Sequence, residues 1–360
     1  MTNKFCGYLS NGYSFNLINN DLTVKPCCFF YESVVFDQNF LTNKKEKFDS
    51  ITGWTSNCGE CKKQEQAGQA SLRQASTDWI PADELSSDPV AIDIHLDNEC
   101  NAACVTCAER FSSLWAKENS KLSNTGYTKF NKTTTDNAID QIVTTVGLTK
   151  LQYVKFFGGE PLFTDTHLKF IKHIPHPDQV VLQYTTNGSI YPSEETLAAW
   201  TQFKLVIFSV SLDGVEEQFD YVRWPLPWTK VSENLLRLKN TAPVNMMFRV
   251  EFTANLFNTY YFDRLEQWVR DNFATNRLGD PTDLNIHNCI DSAWDLDKMP
   301  DPVRTAVLEK YPTEHRIHQM IANLPPPTEL DSWRKFVDTW ETRRNNSWKT
   351  AFPDLVPYFT

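Results

Sequence analysis

From residue 88 to 275 the chain alternates between short apolar runs and helix-compatible stretches, and this alternation limits its fold more than any other feature. The first run is Ala91-Ile92-Asp93-Ile94-His95-Leu96; Tyr153–Phe157, Val180–Tyr184, Leu205–Val210 and Met246–Phe252 follow. Between or after them lie Thr134–Val143, Thr164–Ile171, Ser193–Thr201, Val231–Leu238 and Asp263–Asn272. Parallel strands cannot be joined by tight turns and need a crossover, usually a helix. The alternation therefore predicts parallel β/α units and an α/β fold. A chain of 360 residues with 41% hydrophobic content can bury a large core. That is enough for one α/β barrel, or a barrel plus a smaller domain.

The flanks read differently. Residues 1 to about 75 carry strand-like pieces at Tyr13–Leu17 and Cys28–Phe36, with turn chemistry at Asn19-Asn20-Asp21 between them. This predicts a hairpin. Cys61–Gln74 is rich in helix formers. Residues 76–88 hold Pro81 and several Ser and Asp, a connector. Residues 300–360 read as helices with Pro-rich joints, and Trp333, Trp340 and Trp348 recur at spacings of seven and eight. That spacing predicts one amphipathic helix face packed on the core, with an aromatic substrate platform as the alternative. The expected divisions are 1–78, 88–275 and 276–360.

The net charge of −10 weighs against a nucleic-acid partner, since phosphate binding wants local positive charge. No stretch approaches 18 apolar residues, so no membrane span is expected. The polar start lacks the pattern of a secretory signal, and a cytoplasmic protein is the expectation. Nine cysteines, an odd number with eight in the first third, argue against a disulfide framework and for thiolate ligands.

Cys100, Cys104 and Cys107 stand at i, i+4 and i+7 directly after an expected strand. Three soft ligands can hold three irons of a cubane cluster, leaving the fourth open to a chelating small molecule. On spacing alone, a structural zinc site completed by a distant His or Cys remains an alternative.

Four motifs in order now resemble one family. The triplet is similar to the CxxxCxxC signature of the radical S-adenosylmethionine (SAM) superfamily. Phe157-Gly158-Gly159-Glu160-Pro161 resembles its GGEP motif, Tyr184-Thr185-Thr186-Asn187-Gly188 its TNG ending, and Ser209-Val210-Ser211-Leu212-Asp213-Gly214 its fourth-strand ending, followed by Arg223. The resemblance covers about residues 90–260. It implies a partial (β/α)6 TIM-like barrel with a small N-terminal iron–sulfur segment and a helical C-terminal region. It also implies a [4Fe–4S] cluster on Cys100, Cys104 and Cys107, and SAM bound at Gly158, Gly159, Glu160, Asn187, Ser209 and Arg223. Glu160 would meet the methionine amino group and Arg223 the carboxylate. A bland reading of Glu160 is a strand-end carboxylate capping local backbone; of Arg223, a salt bridge. Asp213 reads as structural. The implied reaction is reductive cleavage of SAM to a 5′-deoxyadenosyl radical that takes a hydrogen atom from substrate.

Cys6, the pair Cys27-Cys28, and Cys58-Gly59-Glu60-Cys61, followed by Glu65, Gly68, Ser71 and Arg73, resemble the auxiliary-cluster region of the SPASM/twitch group, here ahead of the barrel. The resemblance implies a second [4Fe–4S] cluster on Cys6, Cys28, Cys58 and Cys61, with Cys28 slightly preferred over Cys27; zinc or a redox-active pair is the alternative. Relatives of this type imply a ribosomally made peptide as substrate. The alternatives are a small-molecule sugar or amino-acid derivative, or a non-enzymatic electron-transfer module. An electron donor such as flavodoxin or ferredoxin is implied as a partner. Cys289 lies outside both groups, and reads either as a buried apolar cysteine or as a thiol that returns a hydrogen atom to a substrate radical.

Overall fold

The computed structural model describes residues 6–18, 20–37, 39–49, 51–66, 71–76, 80, 88–123, 132–275, 282–289, 293–327 and 331–359. Gly68 and nearly all of the expected connector, with Pro81, lie outside the described residues.

Nine strands form one mixed, mostly parallel sheet: β1 (Gly12–Ile18), β2 (Asp21–Lys25), β3 (Val34–Val35), β4 (Ala91–His95), β5 (Tyr153–Phe156), β6 (Val181–Thr186), β7 (Leu205–Ser211), β8 (Met246–Ala254) and β9 (Asp283–Asn288). Their order is β3-β2-β1-β4-β5-β6-β7-β8-β9. A hairpin turns at Asn20, but its second strand is β2 and not the Cys28–Phe36 run expected from sequence, of which only Val34–Val35 is strand: β1 and β2 pair antiparallel from Ile18↔Asp21 to Ser14↔Lys25. Asn20 takes φ 71°, a left-handed turn that Asn tolerates. From β4 to β9 the strands run in sequence order, which matches the alternation of strands and crossover helices. The sheet also runs past both expected boundaries. β1, from the N-terminal segment, pairs in parallel with β4 from Gly12↔Ala91 to Asn16↔His95. β9, beyond residue 275, pairs in parallel with β8 from Arg249↔Asp283 to Ala254↔Asn288.

Two compact units divide the chain elsewhere than at 78 and 275. The first comprises Met1–Glu99, Gly126–Thr185 and Pro192–Ile207; the second comprises Cys100–Thr125, Thr186–Tyr191 and Phe208–Thr360. The N-terminal cysteines thus share a unit with β4 and β5, and the C-terminal helices share one with β8 and β9.

In the first unit β4 is buried along its whole length, Asp93 and His95 included. Tyr13, Phe15, Phe36 and Phe40 meet edge to face, with ring centres 4.7 to 6.0 Å apart, a geometry that suits aromatic quadrupoles. In the second unit the alternating burial of β8 fits a strand with one covered face. Trp340 and Trp348 are both buried, but not on one helix face. The helix Asp331–Arg344 carries Trp333 and Trp340 and ends before Asn345, which takes φ 48°. Trp348 opens a separate helix, Trp348–Ala351, and stacks on Phe257 at 4.9 Å. Trp340 packs on Trp115 instead, at 4.4 Å. No described helix is long and apolar enough to cross a membrane.

Candidate functional site

The triplet belongs to the second unit. Other parts of the unit bond several backbone groups of its loop. Ala103 N–H donates to the Trp224 carbonyl at 2.7 Å and Val105 N–H to the Val222 carbonyl at 2.8 Å. The Ser112 hydroxyl donates to the Ala102 carbonyl at 2.6 Å, and the Trp115 indole N–H to the Cys104 carbonyl at 2.5 Å. Cys100 N–H donates to the Ser113 hydroxyl at 3.1 Å. Cys104 is buried, while Cys100 and Cys107 are half-buried. Burial pushes the Cys104 and Cys107 thiols up, Cys107 to about 12.

Two polar groups reach the sulfur atoms. Arg223 Nη1 lies 3.7 Å from Cys104 Sγ. Its Nη2 pairs with Asp213 at 2.7 Å, where the carboxylate is wholly buried. Burial alone would push the Asp213 carboxyl far up; Arg223 pulls against it, as does the Thr253 N–H, which donates at 2.7 Å. Asp213 thus joins Arg223 to the Thr253 backbone. Arg223 combines the salt bridge with a contact to a thiol, so much of its donor fork is already engaged. Asn187 Nδ2 stands 4.0 Å from Cys100 Sγ and donates to Asn101 Oδ1 at 2.9 Å. Its own carbonyl oxygen accepts from Ser189 N–H and Oγ–H at 2.9 and 2.6 Å, and Asn101 in turn donates to Ser189 Oγ at 2.9 Å. The end of β6 is thereby tied to the triplet loop. Gly188 takes φ 72°, which suits glycine. Ser209 is completely buried in β7.

The donor set can be tested against what it would hold. Among the described residues, no group of three or more His, Cys, Asp or Glu converges as a single metal ion would need. A tetrahedral zinc draws its thiolates to about 2.3 Å from one point, whereas a cubane spreads them over separate irons. Three thiols in one loop, with N–H groups aimed at two of the sulfurs, suit a soft metal centre such as an iron–sulfur cluster.

Gly158, Gly159 and Glu160 belong to the first unit and turn sharply after β5. Gly158 takes φ 119°, where a side chain would be strained and would strike the His95 ring. A Cβ on Gly159 would fall inside contact distance of the Glu99 carbonyl. Glu160 N–H donates to that same carbonyl at 2.8 Å. Glu160 is 1% exposed, and its Oε1 accepts from Leu162 N–H at 3.2 Å. The local capping read as the bland alternative is therefore present.

The N-terminal cysteines also lie in the first unit. Burial pushes the Cys6 thiol up, and the neighbouring Cys61 and Cys58 thiols add to this. Cys6 and Cys27 pack against one apolar group formed by Tyr8, Ile80, Val90 and Ala91. Burial pushes Cys27 up strongly, with Cys28 and Cys6 adding to it. Cys28 is engaged elsewhere: its N–H donates to Asp93 Oδ2 at 3.1 Å, and its carbonyl accepts from Lys25 Nζ at 2.9 Å. Burial followed by the Asp93 charge carries its thiol to about 12. Thr55 Oγ1 approaches Cys58 Sγ at 3.7 Å. Glu65 accepts from Ser71 Oγ–H at 2.5 Å and pairs with Arg73 at 2.6 Å. It thereby ties the helix Gly59–Gln66, which holds Cys61, to Leu72–Ser76. Cys289 is buried, and its N–H donates to the Ala254 carbonyl at 2.9 Å.

The sequence reading missed Asp93, Asn101, Ser189 and Arg344. Asp93 had a visible signal, a carboxylate inside an apolar strand pattern. The other three had none, because their partners are distant in sequence.

No family model matches the chain, and no curated protein matches it. Solved structures align with it at low TM-scores. Native anSMEcpe with bound AdoMet aligns over 61% of this chain at 16% identity and a TM-score of 0.41, and the alignment spans 58% of that structure's own length. Streptococcus suis SuiB bound to precursor peptide SuiA aligns over 95% of this chain and 73% of its own, at 12% identity and a TM-score of 0.39. SuiB bound to S-adenosylmethionine covers 96% and 73%, at 12% identity and a TM-score of 0.36.

Proposed function

We propose that this chain is a radical SAM enzyme whose Cys100, Cys104 and Cys107 hold a [4Fe–4S] cluster. The observation that carries the reading is the triplet loop. Several of its backbone groups are bonded to the rest of its unit, and Arg223 and Asn187 direct N–H groups at two of its sulfurs. When bound, such a cluster supplies the electron that cleaves SAM and starts radical chemistry.

The protein's own residues then have separate tasks. Arg223 neutralises charge at Cys104 while Asp213 holds it in place, a role we prefer to contact with the SAM carboxylate. Asn187, through Asn101 and Ser189, steadies Cys100. Gly158 and Gly159 allow a close backbone approach, and Glu160 offers a carboxylate to the methionine amino group of SAM. Ser209 completes the set at the end of β7. Cys6, Cys58 and Cys61 take a second, fully ligated cluster; we assign Cys27 as its fourth thiolate, in place of the Cys28 expected from sequence. The proximity of Cys27 to Cys6 and the engagement of Cys28 with Asp93 support that choice. By the SPASM/twitch resemblance, the substrate we propose is a ribosomally made peptide. The electron comes from a flavodoxin- or ferredoxin-type donor, in the cytoplasm.

The test is anaerobic reconstitution with iron and sulfide, followed by incubation with SAM and dithionite. Wild type should release 5′-deoxyadenosine, and the Cys100→Ala/Cys104→Ala/Cys107→Ala variant should fall to the level of the protein-free control. Undiminished cleavage by the variant, or stoichiometric zinc in place of iron, overturns the reading. Candidate peptides and small molecules are then compared by mass spectrometry of the products.

A further inference from the structure

Arg344 closes the helix Asp331–Arg344, and its side chain is 4% exposed. A guanidinium so buried is costly unless its charge and donors are met. Arg344 Nη2 pairs with Glu118 at 2.8 Å. Its guanidinium carbon lies over three indole rings, 5.0 Å from the centre of Trp115, 4.7 Å from Trp224 and 4.8 Å from Trp340. Three aromatic faces around one cation form a cage that holds the charge in a dry setting.

Two walls of that cage are also the backing of the triplet loop. Trp115 donates its indole N–H to the Cys104 carbonyl at 2.5 Å, and the Trp224 carbonyl accepts from Ala103 N–H at 2.7 Å. Glu118 sits on the helix Ser113–Ser123, whose first residue bonds Cys100 through its hydroxyl. One residue near the end of the sequence thus grips the elements that hold Cys100, Ala103 and Cys104.

We propose that Arg344 is a positioning residue for the cluster on Cys100, Cys104 and Cys107: it braces their loop through Trp115 and Trp224, and its caged charge sets the field at Cys104. The inference rests on the radical SAM reading above. Its electrostatic part rests on position: the guanidinium lies over Trp115, whose indole N–H reaches the Cys104 carbonyl. A fixed positive charge in a poorly screened setting favours the more negative, reduced cluster, and so raises its reduction potential. Arg344 and Glu118 carry opposite charges in the same cage and must act with opposite signs.

The experiment is an EPR-monitored reductive titration of reconstituted full-length protein, with iron counted per chain. The signal followed is the one that changes on adding SAM, which separates the triplet cluster from the N-terminal one. Arg344→Met should shift its midpoint to more negative potential and lower its iron occupancy. Glu118→Gln should shift the midpoint the other way. Arg344→Lys keeps the charge and should stay near the wild-type midpoint. If Arg344→Met fails to fold, the sign of the Glu118→Gln shift decides. A role confined to packing would lower thermal stability in all three variants and leave the midpoints together, and that result overturns the proposal. Wild-type protein that takes up no iron at the triplet defeats the functional reading itself; wild-type uptake with unmoved midpoints defeats only the role of Arg344.

Discussion

In the first unit Cys6 and Cys27 pack near an apolar group, whereas the three cysteines of the second ride on a loop with polar contacts. Around Cys6 and Cys27 the wall is Tyr8, Ile80, Val90 and Ala91. Around Cys100 and Cys104 the neighbours are Asn187 and Arg223, the latter paired with a buried carboxylate. On the proposed reading the contrast is one of coordination. Four thiolates can saturate a cubane, and an apolar wall then suits a closed centre. Three leave one iron unfilled, and hydrogen bonds to sulfur tune such a cluster while a small molecule takes the open place. The same ligand chemistry can therefore serve a structural or electron-relay centre in one unit and a reactive one in the other.

The comparison breaks most visibly in the iron count. Wild-type protein should reconstitute to about eight irons, from two cubanes of about four each. Cys27→Ala, like the Cys58→Ala/Cys61→Ala double variant, should lose about half. Cys28→Ala should keep nearly all of it, since Cys28 is held at Asp93. Iron and sulfide assays with Mössbauer spectra check this. Equal losses in the two single variants would dissolve the distinction between Cys27 and Cys28.

A smaller effect would separate the units by their response to acid. His167, in the first unit, is 3% exposed, and its Nδ1 lies 3.1 Å from the Tyr184 hydroxyl. Burial lowers its pKa to about 4, against weak opposition from Asp165 and Glu195. The folded state thus prefers the neutral ring. Its contribution is complete above the unfolded value of about 6.5 and is lost as the pH falls from there toward the folded value. The whole effect is of order 3 kcal/mol. Urea midpoints of the apoprotein should fall between pH 6.5 and 4.5, and His167→Gln should flatten that limb. An unchanged slope in the variant would assign the acid response to other groups.

The smallest effect belongs to the second unit. Cys289 is buried behind β9, with its N–H on the Ala254 carbonyl. Cys289→Ala should cost of order 1 kcal/mol of stability, as a small core truncation does. It should leave SAM cleavage and product identity unchanged. Dehydrogenated or radical products from this variant, identified by mass spectrometry and EPR, would instead make the thiol a hydrogen donor.

Local pattern was enough for the strands from β4 to β8, for β1 and for the turn that follows it. Alternation, turn residues and thiol spacing act within a few residues, and the sequence displays them directly. It could not display which distant segments share a unit. β1 and β9 extend the sheet because their edges meet β4 and β8 across long separations. Trp340 and Trp348 look like one stripe in the sequence, yet a left-handed Asn345 sends them to different partners. Cys28 donates its N–H to Asp93, which is 65 residues away. Arg344 pairs with Glu118, 226 residues away. Residue type and spacing determined what the ligands can bind, because that is a property of the side chains themselves. Which charges and walls surround those ligands was decided only by tertiary structure, because burial and Coulomb interactions depend on distance in space and not on distance along the chain.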